Sequence, residues 1–281
     1  MQLEPHKTIY NNVLHINPDD EIGREITRKG IYDRSCVEVL KSILKHIASA
    51  VVFDVGANIG NHAISISSDC KEIHAFEPNA DIISILKKNI EENNIDNMTA
   101  NEIGLSDSSR YSDFYINMDG NIGASTLDSN TKGHNFRKTR VYLTTGDNYV
   151  KENMVGKLDL LKIDVEGHEM QVLDGFHETI SNFRPIILME WSAGKTIRES
   201  SNNMVFQYIK QNYTAFSVTS SRNRSLWNNG PSGKVKRLLH KLFYREKWYL
   251  LPTDPNRPHA NVFFIPTEKL NLVKHLLYRY G

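Results

Sequence analysis

Cysteine is scarce: Cys36 and Cys70 are the only two in 281 residues, and they do not stand in metal-ligand spacing. So few exclude a small disulfide-built secreted scaffold and fit a reducing compartment. Long apolar runs are also lacking, and no stretch approaches the ~20 residues that span a bilayer. The segment Met1–Tyr10 carries Glu4 and Pro5 and has none of the apolar core of a secretory signal. The sequence is therefore read as cytoplasmic, and the Asn-x-Ser/Thr triplets at Asn97, Asn212 and Asn223 as chance. Nor is there an excess of one charge: 34 Lys and Arg balance 33 Asp and Glu, leaving +1. That excludes a global pull on nucleic acid and leaves only local basic surfaces to consider. Repeats and low-complexity tracts are absent.

What is present is a core of ordinary size, with 40% hydrophobic and 24% charged residues, and a regular alternation of strands and helices. Residues 1–48 read as a lead-in packed on the core, with loop or edge structure over Gly23–Gly30 and helical spacing over Asp33–Ile47. From Ala50 the pattern is strand (50–54), helix (59–68), strand (72–76), helix (81–93), strand (98–103). After an interruption come strand (158–163), helix (166–176), strand (186–191), helix (204–211) and strands at 215–218 and 261–265. Strands alternating with helices predict an α/β fold with a mostly parallel sheet covered on both faces. The domain then runs over 49–281 with two insertions. One, at about 106–148, is a β-excursion (112–116 and 140–144) around a Gly/Asn-rich loop; the other, at about 220–260, is basic and loop-rich.

The informative stretch is Asp54-Val55-Gly56-Ala57-Asn58-Ile59-Gly60, at the carboxyl end of the first strand of this alternation, where ligands bind in open α/β sheets. Gly56 permits a tight turn, Asn58 tolerates left-handed geometry, and Gly60 lets the following helix approach the strand. Seventeen residues after Gly60 the next strand ends in Glu77, placed to accept hydrogen bonds from both hydroxyls of a ribose. A dinucleotide fingerprint would read Gly-x-Gly-x-x-Gly and lay a pyrophosphate on the helix N-terminus. Here the spacing is Gly-x-x-x-Gly behind an acid, Asp54. That charge repels a diphosphate and suits the amino group and sulfonium of S-adenosylmethionine. Glu102 and Ile103, at the end of the third strand, are candidates to meet the adenine.

Several segments, VVFDVGANIGNHA, EIHAFEPN, NMTANEIGLSD, GNIGASTL, LDLLKIDVEGHEMQVLDG and RPIILMEW, stand in the order found in the FkbM methyltransferases. Over roughly residues 20–192 the chain resembles that family, including its lead-in EIGREITRKGIYD; the C-terminal third matches little. The resemblance implies a Rossmann-like class I methyltransferase fold, a seven-stranded sheet whose last strand runs antiparallel. It also implies O-methylation, often of sugars or other small hydroxyl acceptors, and leaves the acceptor unnamed.

Catalytic candidates follow from position. Asp164 ends the fourth strand and should face the crevice shared by Asp54 and Glu77; Glu166 and His168 alternate after it. Glu190 is an acid inside the apolar strand IILMEW, costly there unless paired or exposed at a site. Any of these can serve as base for an acceptor hydroxyl, and a divalent metal on the acids would do similar work. An acid cluster beside a sulfonium does not by itself require a metal, so none is assigned. Acids early in a helix also simply suit its dipole, and His62 reads as packing. The loop 120–127 is a candidate lid.

Lys234–Lys247 carries six Lys/Arg against one Glu, with apolar residues at helical spacing and Trp248 and Tyr249 following. It reads first as an ordinary helix packed on the sheet. A peripheral contact with the inner membrane face through 234–249 would suit a lipid-linked glycan acceptor, and two or three of its cations would suit a nucleotide-linked sugar. Two other functions stay open at this point: an NAD-dependent Rossmann oxidoreductase, disfavoured by the glycine spacing and by the lack of a Tyr-x-x-x-Lys pair, and a non-catalytic cofactor-binding protein.

Overall fold

The computed structural model describes residues 2–118, 125–127, 135–191, 200, 202–221, 246–257 and 259–277. The chain opens with a hairpin, β1 (Glu4–Lys7) and β2 (Val13–Ile16), then two helices, α1 (Glu21–Lys29) and α2 (Arg34–Leu44). The core follows as β3 (Val51–Val55), α3 (Asn61–Ile66), β4 (Glu72–Phe76), α4 (Ala80–Glu92) and β5 (Met98–Asn101). An excursion, β6 (Gly104–Leu105), β7 (Arg110–Asn117) and β8 (Phe136–Thr144), leads to α5 (Gly146–Glu152) and β9 (Leu160–Ile163). Then come α6 (Glu169–Asp174), α7 (His177–Phe183), β10 (Ile186–Glu190), α8 (Met204–Asn212), β11 (Tyr213–Ser220), β12 (Trp248–Pro252) and β13 (Asn261–Pro266).

Eight strands form the main sheet in the order β12-β11-β13-β10-β9-β3-β4-β5. The five from β10 to β5 are parallel; β13 runs antiparallel to both β10 and β11. This is the Rossmann-like arrangement expected, with one correction: the sheet has eight strands rather than seven. The extra strand, β12, pairs antiparallel with β11 from inside the segment read as loop-rich. Residues 248–252 flank the buried Leu250 with half-buried neighbours and supply β-prone Trp248 and Tyr249, enough to extend an open edge.

Both faces of β3 and β9 are buried, as crossover helices on either side require. Phe53, Val55, Leu161 and Ile163 meet α6, α7 and α8 on one face, where Phe176, Ile180 and Phe206 pack. Val52, Leu160 and Leu188 meet α2, α3 and a 3-10 helix (Thr267–Leu276) on the other. A third cluster joins Leu14 and Ile16 of the hairpin to Ile82, Ile85 and Leu86 of α4 and to Ala57 and Ile59 of the glycine-bearing turn. The lead-in is thus fastened beside that turn. Among the described residues, no helix is long and apolar enough to cross a membrane.

Three local expectations are corrected. Gly23–Gly30 is helix, not loop: Asp20 caps it by accepting from the Gly23 amide at 2.6 Å, and left-handed Gly30 (φ 75°) closes it. The strand expected over 98–103 stops at Asn101, and residues 104–105 pair with β8 in a separate three-stranded sheet. The helix expected from Glu166 begins at Glu169, because Glu166 (φ 53°) and Gly167 (φ 92°) adopt left-handed conformations that end any helix there.

Candidate active site

A cavity of about 330 Å³ opens at the carboxyl ends of β3, β4, β9 and β10. The turn after β3 forms its floor. Gly56, Asn58 and Gly60 all have positive φ (77°, 51° and 90°). At Gly56 a Cβ would sit 1.8 Å from the Asp164 carbonyl oxygen, so the close approach of β3 to the end of β9 requires glycine. At Gly60 a Cβ would strike Leu86 of α4 at 2.6 Å. Two amides of the turn, Gly56 and Ala57, donate to the Phe76 carbonyl at 3.0 Å, and buried Asn89 holds the Ile59 carbonyl at 2.9 Å.

Glu77 lies where β4 ends, 8% exposed and on the cavity wall. Its two carboxylate oxygens accept from the Asn79 amide at 2.9 Å and the Asn58 amide at 3.1 Å, so it braces the turn. Burial pushes its carboxyl up to about 7, against the pull of those two amides. Around it Pro78, Ile82 and Leu105 make an apolar slot. Glu102 and Ile103 fall outside it: Glu102 is exposed and faces Lys87 at 3.5 Å, while Ile103 packs on the core. The chain leaves the main sheet at Asn101, so Gly104 and Leu105 reach the cavity in their place.

Asp54 differs from its expected placement. It is 1% exposed and lies behind the wall, its Oδ1 3.0 Å from the Lys162 ammonium. The register of β3 with β9 sets Asp54 beside Lys162. Lys162, itself buried, reaches the cavity surface and also stands 3.3 Å from Asp164 Oδ2. Burial alone would lower this lysine, but the two aspartates prevail and hold it above the ordinary lysine range. Sequence reasoning missed Lys162. The signal was a lysine within the apolar strand LLKI, the same kind of misfit that singled out Glu190.

The remaining candidates converge. Asp164, Glu166, His168 and Glu190 all border the cavity. Burial, reinforced by Asp164, pushes Glu166 up to about 7. Burial with Asp164, Glu166 and Glu169 pushes Glu190 up to about 8. Glu169 is 2% exposed and accepts from the Gly167 amide at 2.9 Å, fixing the left-handed turn that presents Glu166. His168 Nε2 lies 2.9 Å from Ser106 Oγ. Among the described residues no three His, Cys, Asp or Glu side chains converge as a metal site.

The cavity is completed from outside the main sheet. Glu21, Ile22, Tyr32 and Asp33 come from the lead-in, and Phe114, Ser125 and Leu127 from the excursion. Tyr32 and Asn61 of α3 bond reciprocally, backbone to side chain, at 3.1 and 2.9 Å. Thr126 pairs with Tyr115 and donates to the Glu166 carbonyl at 3.2 Å. His62, read from sequence as packing, lines the cavity 3.7 Å from Asp33 Oδ2. The lid loop lies outside the described residues over 120–124, as does the basic segment over 234–245; Trp248 and Tyr249 of that segment belong to β12.

Known proteins share parts of this sequence and fold. The Hexuronic acid methyltransferase AglP of Haloferax volcanii is 33% identical over 144 residues, covering 51% of this chain and 56% of that protein. Methyltransferase 1 of Beauveria bassiana is 26% identical over 186 residues, 59% of this chain and 72% of that protein. The match thus spans little more than half of AglP's length. A solved FkbM methyltransferase from Methylobacillus flagellatus superposes with a TM-score of 0.40 at 14% identity, over 77% of this chain and 43% of that one. The model of the Methyltransferase FkbM domain matches residues 54–215, from the aspartate behind the glycine turn through β10 and into β11. The chain belongs to the FkbM methyltransferase family.

Proposed function

We propose that this chain is an S-adenosylmethionine-dependent O-methyltransferase acting on a hydroxyl of a sugar, glycan or related small molecule. One observation carries the reading: a single cavity joins a ribose-type acceptor group, Glu77 on the Asn58 turn, to a wall of acids, Asp164, Glu166 and Glu190. The donor's parts fit that division. Glu77, with lone pairs left beyond its two amides, would take the ribose hydroxyls; Pro78, Ile82 and Leu105 would flank the purine. Gly56 and Asn58 would hold the amino-acid end, with Asp54 and Lys162 as the ion pair beneath them. Bound there, the donor supplies a methyl group already activated by its positive sulfur.

The protein's share is alignment and charge. Fixing the acceptor oxygen in line with the S–CH3 bond supplies much of the acceleration in such a displacement. Asp164 stabilises the positive donor, Glu166 and Glu190 bind acceptor hydroxyls, and His168 borders the same space. Described residues of the lead-in and the excursion wall the cavity on two sides. AglP, a relative named for a hexuronic acid, favours a sugar acceptor. A lipid- or nucleotide-linked form of it would bring the basic segment 234–247 into contact, and no metal is assigned.

Calorimetry of S-adenosylmethionine against NAD, then transfer of labelled methyl to a panel of neutral sugars and uronic acids, tests the reading. Donor binding with methylated sugar as product is expected. Binding of NAD alone would refute the assignment, and donor binding with no transfer to any panel member would favour a non-catalytic protein.

A further inference from the structure

We infer that His62 is the group that takes the proton from the acceptor hydroxyl, oriented for that task by Asp33. The inference rests on the methyl-transfer reading and adds a catalytic residue and a positioning residue to it.

The groups first suited to the role are committed elsewhere. Asp164 stands 3.3 Å from the Lys162 ammonium. Glu190, pushed up to about 8 by burial and its acidic neighbours, is mostly protonated at neutral pH, and Glu166, pushed up to about 7, is divided about equally between acid and carboxylate, so neither stands as a permanent carboxylate beside the acceptor. His168 is held by Ser106 at 2.9 Å, and Ser106 in turn donates to Asp107 and accepts from Arg110.

His62 is different. It is 7% exposed, lies on the cavity wall, and its buried Nε2 has no hydrogen-bond partner. Asp33 Oδ2 stands 3.7 Å from that Nε2, too long for a hydrogen bond but within reach of a small closure. Such bonds are often loose before substrate binds and tighten in the reacting complex. With Nε2 turned toward a carboxylate, Nδ1 is the nitrogen left for the cavity. An imidazole whose far nitrogen faces a buried carboxylate is a repeated solution for a base in mechanisms that deprotonate a hydroxyl.

Asp33 is itself held in place. It takes a left-handed conformation (φ 42°) at the cap of α2, and its Oδ1 accepts from Ser35 Oγ at 2.7 Å and the Cys36 amide at 3.4 Å. Its Oδ2 accepts from Asn261 Nδ2 at 3.1 Å, and Asn261 is the register partner of Glu190. The pair therefore sits beside the acid wall. Burial acts to raise the Asp33 carboxyl, but His62, Cys36 and Ser35 overcome it and hold it well below the usual carboxylate range. A carboxylate so placed stabilises the imidazolium that forms.

The step balances. The acceptor oxygen forms a bond to the methyl carbon as its proton passes to His62; the electron pair of the broken S–CH3 bond stays on sulfur. The products are the methyl ether, neutral S-adenosylhomocysteine and protonated His62, whose proton then leaves to solvent.

The test uses the full chain, S-adenosylmethionine, and methyl α-D-glucopyranoside and methyl α-D-glucuronoside as acceptors. His62→Gln should keep donor affinity within about twofold while kcat falls by about 10²–10⁴, the range a general base contributes. Asp33→Asn should lower kcat less than His62→Gln does, with donor affinity within about twofold of native, because the imidazole is then held less firmly in the reacting orientation. Besides Asp33, the titratable groups on this cavity are Glu21, Tyr32, Lys162, Asp164 and Glu190, with Glu77, Glu166 and His168 further round it. None is altered in these variants, so the changes in kcat belong to the pair. Free imidazole added to His62→Gly should restore part of the lost kcat, a recovery that a merely structural role for the side chain would not give. Native kcat in His62→Gln, native kcat in Asp33→Asn, or no recovery with imidazole overturns the inference. Failure of the native chain to bind donor or to methylate either acceptor instead removes the reading beneath it, and shows before any variant is made.

Discussion

Glu77 permits a prediction in which protonation, affinity and stability are tied together. Burial pushes its carboxyl up to about 7, whereas the proposed ribose contact requires it ionised, as an acceptor for two hydroxyls. Below pH 7 the site must first lose a proton, and affinity should fall about tenfold per pH unit, approaching ~10²-fold between pH 7 and pH 5. S-adenosylhomocysteine is the ligand to use. Its sulfur is uncharged, so Glu166 and Glu190 contribute less to the slope than they would with the sulfonium. Calorimetry across pH 5–8 should give that slope for the native chain and a nearly flat line for Glu77→Gln. At pH 8 the variant should bind about 10- to 150-fold more weakly, the loss of hydrogen bonds to a charged group worth ~1.5–3 kcal/mol.

The same shift has a sign for stability. The folded protein binds a proton at Glu77 that the unfolded chain releases near 4.5, so this group's contribution is fully present below about 4.5 and lost as pH rises through 7. The loss is on the order of 3 kcal/mol. Ligand-free Glu77→Gln should therefore hold its Tm better than the native chain between pH 5 and pH 8. An unchanged pH slope for S-adenosylhomocysteine in Glu77→Gln would refute the reasoning, because the titration would then belong to another group.

Three further outcomes follow from the same packing. Lys162→Met leaves Asp54 buried without its cation and should cost about 3–5 kcal/mol in urea unfolding, with partial recovery in Lys162→Met/Asp54→Asn; equal stability of the two variants would deny the pair. Gly56→Ala places a Cβ 1.8 Å from the Asp164 carbonyl, so donor binding should be lost in calorimetry; binding within about threefold of native would show that β3 and β9 can separate. Asp164→Asn removes a charge facing the cavity but keeps its shape, so kcat should fall by more than tenfold with donor Kd changed by less than that; the opposite split would make Asp164 a binding group.

The fold was readable where one physical signal dominated. Short apolar runs between helical stretches marked β3, β4, β9 and β10 to within two residues, because parallel strands covered on both faces are apolar apart from single residues such as Asp54, His74, Lys162 and Glu190. Gly56, Asn58 and Gly60 announced a left-handed turn, and all three adopt it. Signals failed where tertiary contact decided. The helix over 21–29 contains Gly23, which suggested a loop; its Cβ would lie 1.8 Å from the Asn17 carbonyl, so the glycine serves packing of the helix start. Strand β12 depends on an edge that β11 offers. In the site, Glu77 was found by spacing along the chain. Lys162 acts on Asp54 through strand register and His62 meets Asp33 across 29 residues of sequence, so neither contact has a local signature.

That contrast says how labour is divided in the cavity. The proposed donor side draws mainly on residues 54–82 and is braced by short-range bonds: Glu77 to the Asn58 and Asn79 amides, Gly56 and Ala57 to the Phe76 carbonyl. The proposed acceptor side is assembled from the lead-in, α3, the turn after β9, the ends of β10 and β13, and the excursion, which meet only in the folded chain. A substitution in the lead-in at Tyr32 or Asp33 should therefore alter acceptor use while leaving donor affinity intact, although both residues precede the first strand of the sheet. At Tyr32 the lead-in is bonded to α3 by the reciprocal Tyr32–Asn61 pair, so a substitution there acts first on the proposed acceptor wall. Specificity can then change through Tyr32 and Asp33 more readily than through the hairpin, because Leu14 and Ile16 pack on Ala57 and Ile59 of the turn and the His15 amide donates to Asn89, which holds the Ile59 carbonyl.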